Sequence, residues 1–161
     1  MRFVIHFLVL LSLSSCSIFT NDFSLEPTKA FSFEREFVLA EKRGKPLLIY
    51  FSGFACMNCK RMDTLIMKSS KIKRLISKKY TLVVLNVDDK SQLEQKYWRI
   101  KEEGNDKGKI LKSAGEVNVQ LQTKLTGCCS QPRFSVIKNP YGENESFGYT
   151  MDEVKLVQFL E

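Results

Sequence analysis

Two cysteines, Cys56 and Cys59, carry the clearest chemistry in this sequence of 161 residues. They follow the apolar run 47–51 (LLIYF), which is typical of a buried strand, and a helical pattern begins at Cys56. The start of a helix offers unpaired N–H groups and the positive end of the helix dipole, and both favour a thiolate. The sequence therefore predicts a redox-active dithiol, with Cys56 as the nucleophile and Cys59 as the more shielded resolving thiol.

The other residues with reactive side chains are few. The only histidine, His6, lies in the apolar N-terminal stretch, so the rest of the chain has no imidazole. This excludes Cys-His and Ser-His catalysis, and a histidine-ligated metal site, from the folded domain. Apart from Cys16, the chain has four cysteines: Cys56, Cys59 and the adjacent Cys128 and Cys129. An even number suits paired thiol chemistry in an exported protein.

The N-terminal stretch has the composition of a bacterial lipoprotein signal peptide. Arg2 precedes an apolar run over 3–13, which is shorter than the roughly 20 residues that a membrane-spanning helix needs. The run ends in Leu-Ser-Ser-Cys at 13–16, which resembles a lipobox, the pattern whose cysteine becomes the lipidated first residue. We therefore expect a lipid on Cys16 and a protein anchored to a membrane in the bacterial periplasm. The choice between inner and outer membrane stays open.

Three segments follow from these patterns: a lipoprotein signal peptide (1–15), a lipid-anchored tether (16–30) and one folded domain (31–161). The length and the 43% hydrophobic content suffice for a single domain with its own core. The net charge is +7, and much of the excess lies within 60–79. We interpret that charge as a solvated helix face, and we expect no nucleic-acid partner because no recognition motif accompanies it.

The hydrophobic periodicity predicts alternating helices and strands. The expected elements are a helix at 31–42, strands at 47–51 and 80–87 joined by one long or bent helix at 56–79, a polar insertion at 91–115 with one short helix, a helix at 116–125, strands at 133–138 and 145–149, and a final helix. Thr150 and Glu153 are expected to form the capping box of the final helix. The adjacent Asp88 and Asp89 are interpreted as a solvated strand end. The order predicts an α/β fold with a mixed central sheet flanked by helices.

That order, with Cys-x-x-Cys after the first core strand and a proline before the hairpin, resembles the thioredoxin fold over 31–161. The segments 44–46, 56–62, 86–90 and 131–132 are similar to thioredoxin-like proteins related to the C-terminal domain of the thiol:disulfide interchange protein DsbD. Similar chains are frequent among exported proteins of Bacteroidetes-type bacteria, and the long polar insertion after the second strand suits them. The resemblance implies a periplasmic thiol–disulfide oxidoreductase, usually a reductase. We expect no cofactor and no metal.

The resemblance also implies roles for residues outside the cysteine pair. Pro132 would follow a cis peptide bond, and Gln131 and Pro132 would hold a substrate peptide as a temporary strand. A proline that merely starts a strand is the alternative. Phe54 is expected to offer an apolar patch to the substrate, with a buried core phenylalanine as the alternative. Tyr50 occupies the position of a buried aspartate that moves protons in the family, and tyrosine is a poor base near neutral pH.

Cys128 and Cys129 depart from the family pattern. The fold would place their loop beside Cys56, so up to four sulfurs could gather there. One interpretation is an auxiliary redox pair, which would close a strained vicinal disulfide because adjacent Cα atoms lie only about 3.8 Å apart. The other is two free thiols that serve as small loop residues.

The expected reaction is the reduction of disulfides in protein substrates through Cys56 and Cys59. A membrane or periplasmic electron donor would restore the dithiol. Two alternatives stay open: a thiolate carrier of Zn or Cu(I), and an interaction domain that has lost turnover. The direction also stays open, because an oxidase would use the same residues in reverse and Met57-Asn58 between the cysteines does not fix the reduction potential.

Overall fold

The computed structural model describes residues 23–28, 33–139 and 144–161. The expected signal peptide, Cys16 and the first part of the expected tether lie outside these residues. Within the described ranges, none of the helices has both the length and the hydropathy of a membrane span.

The described chain alternates helices and strands in the predicted order. The elements are α1 Phe33–Lys42, β1 Leu47–Ser52, α2 Met57–Lys68, α3 Ser70–Lys79, β2 Thr81–Asn86, β3 Arg99–Ile100, β4 Ile110–Leu111, α4 Ala114–Thr126, β5 Arg133–Ile137, β6 Glu145–Phe147 and α5 Glu153–Leu160. The main sheet has the strand order β2-β1-β5-β6. Strand β1 pairs parallel with β2 and antiparallel with β5, and β5 pairs antiparallel with β6. This mixed sheet confirms the predicted fold class.

Strand β1 lies inside the sheet, and all six of its residues are buried, as the apolar run predicts. Its alternating side chains enter two apolar layers. Leu48 and Tyr50 pack with residues of α2, α3 and α5 on one face, while Leu47 and Ile49 pack with residues of α1 and α4 on the other. The chain that leaves β1 therefore starts from the best-packed part of the molecule.

The predicted helix over 56–79 is two helices, because the chain breaks at Ser69. The Ser69 hydroxyl accepts from the N–H of Ile72 at 3.1 Å, which caps α3, and it donates to Glu153 Oε1 at 2.5 Å. The apolar periodicity continues through the break, so periodicity alone does not reveal it. The capping serine itself is the local signal that it ends one helix and starts another.

The predicted capping box of α5 is wrong. Asp152 is the N-cap residue, and its carboxylate accepts from the N–H groups of Val154 and Lys155. Thr150 lies further out, where its hydroxyl accepts from the N–H of Asp152 at 3.0 Å. A carboxylate directly before the first turn satisfies these N–H groups and favours the helix dipole, so it displaces the threonine from the cap.

The polar insertion contains the short strands β3 and β4, and a single 3-10 turn, Gln95–Tyr97, stands where one short helix is expected. Helix α4 begins inside the expected insertion, because Ser113 and Glu116 form a capping box there. Gly115 fits directly behind the cap. A Cβ at this position would lie 2.6 Å from the Val87 carbonyl oxygen, so the close approach of α4 to the end of β2 requires glycine.

Residues 23–28, which belong to the expected tether, pack on the folded domain. Phe23 and Leu25 are partly buried against the core layer of α2, α3 and α5. The N–H of Thr28 donates to the Val84 carbonyl at 2.8 Å, and the Thr28 hydroxyl accepts from the Val84 N–H at 3.2 Å. These bonds occupy part of the otherwise free edge of β2.

Candidate redox site

The two cysteines of the Cys-x-x-Cys motif form a disulfide at the start of α2. Cys56 is the N-cap residue, and its sulfur accepts a hydrogen bond from the N–H of Cys59 at 3.1 Å. Cys56 is half-buried, whereas Cys59 is 1% exposed. The structure thus places an accessible and a shielded sulfur in the predicted order, while their catalytic roles stay predictions.

The start of α2 favours a negative charge on Cys56. The Cys59 N–H is aimed at its sulfur, and the first turn of the helix carries no acidic residue that would oppose a thiolate. Met57, which follows Cys56, is 62% exposed, and Cys56 itself is only half-buried, so solvent reaches this part of the helix. The arrangement can support nucleophilic attack by Cys56 on an incoming disulfide.

Asp88 fastens the loop ahead of Cys56. Its two carboxylate oxygens accept from the N–H groups of Phe54 and Ala55, both at 2.8 Å. The approach is close, because a Cβ on Gly53 would lie 3.3 Å from either oxygen. Asp88 is thus half-buried and engaged, which corrects its interpretation as part of a solvated strand end. The sequence does contain a signal for this contact: an acid follows β2, and a glycine follows β1, the strand that pairs parallel with β2.

Asp63 is a candidate proton acceptor that sequence reasoning missed. It lies one turn after Cys59 on α2, and Tyr50, which is completely buried, donates its hydroxyl hydrogen to Asp63 Oδ1 at 2.7 Å. Burial raises the pKa of Asp63, an effect that the Tyr50 hydrogen bond partly offsets. Burial and the Asp63 charge also raise the pKa of Tyr50 well above its ordinary value, so Tyr50 acts as a donor. A carboxylate of α2 thus contacts the tyrosine that stands at position 50.

The Gln131–Pro132 peptide bond is cis, as the resemblance implies, and Pro132 is buried. Gln122 on α4 fixes the loop before it. This side chain is completely buried, donates to the Ser130 carbonyl at 2.8 Å and accepts from the Gln131 side chain at 2.9 Å. Gln122 is a second residue that the sequence did not reveal, because its partners lie in a separate loop. The binding of substrate by Gln131 and Pro132 stays a prediction.

Phe54 is 57% exposed, two residues before Cys56. The exposure excludes the alternative of a buried core phenylalanine. With its backbone held by Asp88, the ring forms an apolar surface at a fixed place beside the disulfide. Contact of this ring with a substrate stays a prediction.

Cys128 and Cys129 are free thiols; Cys129 is exposed and Cys128 half-buried. The Cys128 sulfur lies 3.1 Å from the Ser130 hydroxyl and accepts from the Ser130 N–H at 3.4 Å. These two hydrogen bonds, with a smaller contribution from the Arg133 charge, lower the pKa of the Cys128 thiol. In the described ranges no three His, Cys, Asp or Glu side chains are placed together to hold a metal ion, so no observation favours the metal-carrier alternative.

The strand order and the position of the cysteine pair are those of a thioredoxin-like fold, and comparisons with known proteins agree. Residues 27–106 match a family described as thioredoxin-like. A solved thioredoxin from Thermus thermophilus is 16% identical with a TM-score of 0.51, over 81% of this chain and 82% of that one. The oxidoreductase DsbH is 16% identical with a TM-score of 0.55, over 84% of this chain and 85% of that one. No curated protein sequence matches.

At this level of identity the solved structures establish the fold alone. The thioredoxin-like α/β fold is therefore confirmed, and the Cys56–Cys59 pair at the start of α2 gives it the general arrangement of a thiol–disulfide oxidoreductase. The finer resemblance to the C-terminal domain of DsbD stays a prediction.

Proposed function

We propose that this protein is a membrane-tethered, extracytoplasmic thiol–disulfide oxidoreductase that reduces the disulfides of client proteins. The observation that supports it best is the asymmetry of the cysteine pair. Cys56 is accessible and accepts a helix N–H, whereas Cys59 is shielded beneath it. One sulfur is thus suited to attack from solvent and the other to an intramolecular second step.

The proposed reaction has two exchanges. The Cys56 thiolate attacks one sulfur of the client disulfide, which forms a mixed disulfide and releases the first client sulfur as a thiolate. Cys59 then loses its proton and attacks the Cys56 sulfur, so the Cys56–Cys59 disulfide closes and the second client sulfur leaves. The client gains two electrons, and the protein must regain them from a membrane or periplasmic donor.

The second exchange needs an acceptor for the Cys59 proton, because a thiol that is 1% exposed has little contact with water. Asp63 is suited to this role by its place one turn further along α2. Burial keeps the pKa of this carboxyl above its ordinary value, and the hydroxyl of Tyr50 holds the side chain in place. Tyr50 is a positioning residue in this scheme.

A disulfide-reduction assay with insulin tests the proposal. Cys56→Ser is expected to abolish turnover, because the remaining thiol of the pair, Cys59, is only 1% exposed and cannot readily reach a client disulfide. Cys59→Ser is expected to stop at the mixed disulfide, which gel electrophoresis without reductant would show as a covalent adduct. Turnover that persists in Cys56→Ser would overturn the mechanism, and a wild-type protein that reduces no disulfide would instead favour the interaction domain.

The location is tested separately with Cys16→Ser. We expect this variant to lose both the incorporation of labelled fatty acid and the recovery in the membrane fraction. Its insulin reduction in solution should equal that of the wild type, because the proposed reaction uses only Cys56 and Cys59. A Cys16→Ser protein that still carries lipid would contradict the anchor and leave the redox mechanism intact.

A further inference from the structure

A groove of about 840 Å³ opens beside the redox site. Three parts of the chain line it: residues 26–28 of the N-terminal segment, the insertion between Asp89 and Arg99, and the start of α4. Phe54 contributes to the wall, and this ring is 57% exposed and two residues from Cys56. A polypeptide whose disulfide reaches Cys56 can therefore extend past Phe54 into the groove.

The walls of the groove are held by hydrogen bonds that link distant segments. The indole N–H of Trp98 donates to the Leu93 carbonyl at 2.9 Å and closes the insertion on itself. The buried side chain of Asn118 on α4 donates to the Asn86 carbonyl at 2.8 Å. Together with the bonds between Thr28 and β2, these contacts give the groove a fixed shape before any partner binds.

The groove is acidic, whereas the protein as a whole is basic. Three carboxylates line it, Glu26, Asp89 and Glu94, against one cation, Arg99. Glu26 is exposed and has no ion pair with another described residue, and Glu94 has only the exposed Lys96 at 2.7 Å. The chain carries a net charge of +7, so the excess of carboxylates among the residues that line the groove is opposite in sign to the charge of the whole chain.

From this combination we infer that the groove binds a cationic segment of the client polypeptide, rich in Lys or Arg, next to the disulfide that is reduced. Lys and Arg stems can pack on the exposed ring of Phe54 while their charged ends reach the carboxylates of Glu26 and Glu94. The volume is in the range of roughly 300–1,000 Å³ that small-ligand sites occupy, so a short extended segment fits and a folded domain does not. The inference rests on the proposed function, since it names the clients of the same site.

Two disulfide-bonded peptides that differ only in the residues next to the cysteine, Lys-Lys or Glu-Glu, test the inference. The full-length protein is expected to reduce the Lys-Lys peptide with a kcat/KM roughly fivefold higher, as for two exposed charge contacts, and added salt should diminish the preference. The double variant Glu26→Gln/Glu94→Gln should lose most of it. Glu41→Gln, an exposed acid on α1 outside the groove, should keep it. Equal rates for the two peptides, or a preference that survives in the double variant, would overturn the inference.

A binding measurement separates this inference from the proposed function. Trp98 is the only tryptophan of the chain and belongs to the insertion that lines the groove, so its fluorescence can report binding. The probe is the Lys-Lys peptide with serine in place of cysteine, which no thiol chemistry can attack. We expect a saturable change with this peptide and none with its Glu-Glu counterpart. If neither disulfide peptide is reduced but the fluorescence change occurs, the proposed redox function is wrong and the binding of cationic segments is supported. If both peptides are reduced equally and the fluorescence change is absent, only the inference about the groove is wrong.

Discussion

At the scale of single residues, the site departs from the pattern that the sequence resemblance implies, because position 50 carries no acid. Position 50 on β1 holds a tyrosine whose ring stacks on Phe134 with centroids 4.5 Å apart, so it serves the core. Under the proposed mechanism the carboxylate is that of Asp63 on α2, which is only half-buried. An acid closer to the surface can exchange its proton with water once the Cys59 proton has been transferred to it, without a path through the core.

We predict that Asp63→Asn slows the second exchange by about a hundredfold, because the Cys59 proton loses its acceptor. In the wild type, protonation of Asp63 should slow the same step as the pH falls. Tyr50→Phe removes a hydrogen bond that lowers the pKa of Asp63, so this acidic decline should move to higher pH. Rapid acid quenching of the mixed disulfide at a series of pH values measures each rate. An unchanged pH profile in Asp63→Asn would eliminate Asp63 as the acceptor.

Cys128 is predicted to react at lower pH than an ordinary cysteine thiol. The Ser130 hydroxyl and N–H lower the pKa of Cys128, so more of it is thiolate at a given pH. Mass spectrometry after iodoacetamide treatment of the oxidised protein, in which Cys56 and Cys59 are protected, gives the pH midpoint of each alkylation. Ser130→Ala should raise the midpoint of Cys128, because the variant loses the hydroxyl beside this sulfur. An unchanged Cys128 midpoint in Ser130→Ala would favour the interpretation of the two thiols as plain loop residues.

At the scale of elements, the sequence predicts what local patterns determine. The apolar run of β1 and the cysteine spacing after it locate the redox site directly. The break between α2 and α3 at Ser69 is not predicted, because the apolar period runs through it and the residue that binds Ser69, Glu153, lies 84 residues away. The pairing of β3 and β4 is not predicted either, since strands of two residues are too short to show an alternation of apolar and polar side chains.

Within the site, too, local patterns predict some residues, whereas others are identified only by their contacts in the structure. Cys56 and Cys59 follow from spacing, whereas Asp88 and Gln122 act on backbone groups of other segments. Asp88 holds N–H groups more than 30 residues earlier, and no composition or period along the chain encodes such a contact. The cis bond before Pro132 was expected only through the resemblance. Residues that position the site by contacting the backbone of another segment can thus be identified only from the structure.

The capping box of α4 gives a prediction about stability. Hydrogen bonds from Lys109, and from the N–H groups of Ser113 and Lys112, lower the pKa of Glu116 from 4.5 to about 2. A lowered pKa means that this stabilisation is present above about pH 4.5 and is lost as the pH falls towards 2. Glu116→Gln should therefore lower the free energy of unfolding by about 1 kcal/mol at neutral pH, because glutamine can still accept the cap hydrogen bonds but lacks the charge that strengthens them, and the exposed ion pair adds little.

Urea unfolding of both proteins at neutral and acidic pH measures this difference. The gap between wild type and Glu116→Gln should narrow as the pH falls, since the wild type then loses the charge on its cap. Glu103→Gln replaces an exposed acid of the polar insertion that precedes α4. This variant is the control and should unfold like the wild type at each pH. A gap that stays constant through the acidic range would show that the Glu116 charge does not stabilise α4.

At the scale of the whole molecule, the topology explains why the reactive groups meet. Strands β1 and β2 are parallel, so Cys56 and Asp88 both follow strand ends at the same edge of the sheet. Strand β5 is antiparallel to β1, so its beginning, with Pro132 just before it, lies at that edge too. Under the proposed lipid anchor, the six residues between Cys16 and the packed Phe23 can span at most on the order of 25 Å, which would hold this domain near the membrane surface.

Residues 23–28 should therefore stabilise the domain as well as connect it. Replacing Phe23 and Leu25 together by alanine removes two side chains that are partly buried on the core, and we expect the free energy of unfolding to fall by about 2 kcal/mol. Deletion of 17–22, which precede this segment, is the matched control and should leave that free energy unchanged. Urea denaturation of the two variants and the wild type decides between a structural segment and a tether. If the double alanine variant unfolds at the same urea concentration as the wild type, the packing of Phe23 and Leu25 contributes nothing and the tether reaches at least to residue 28.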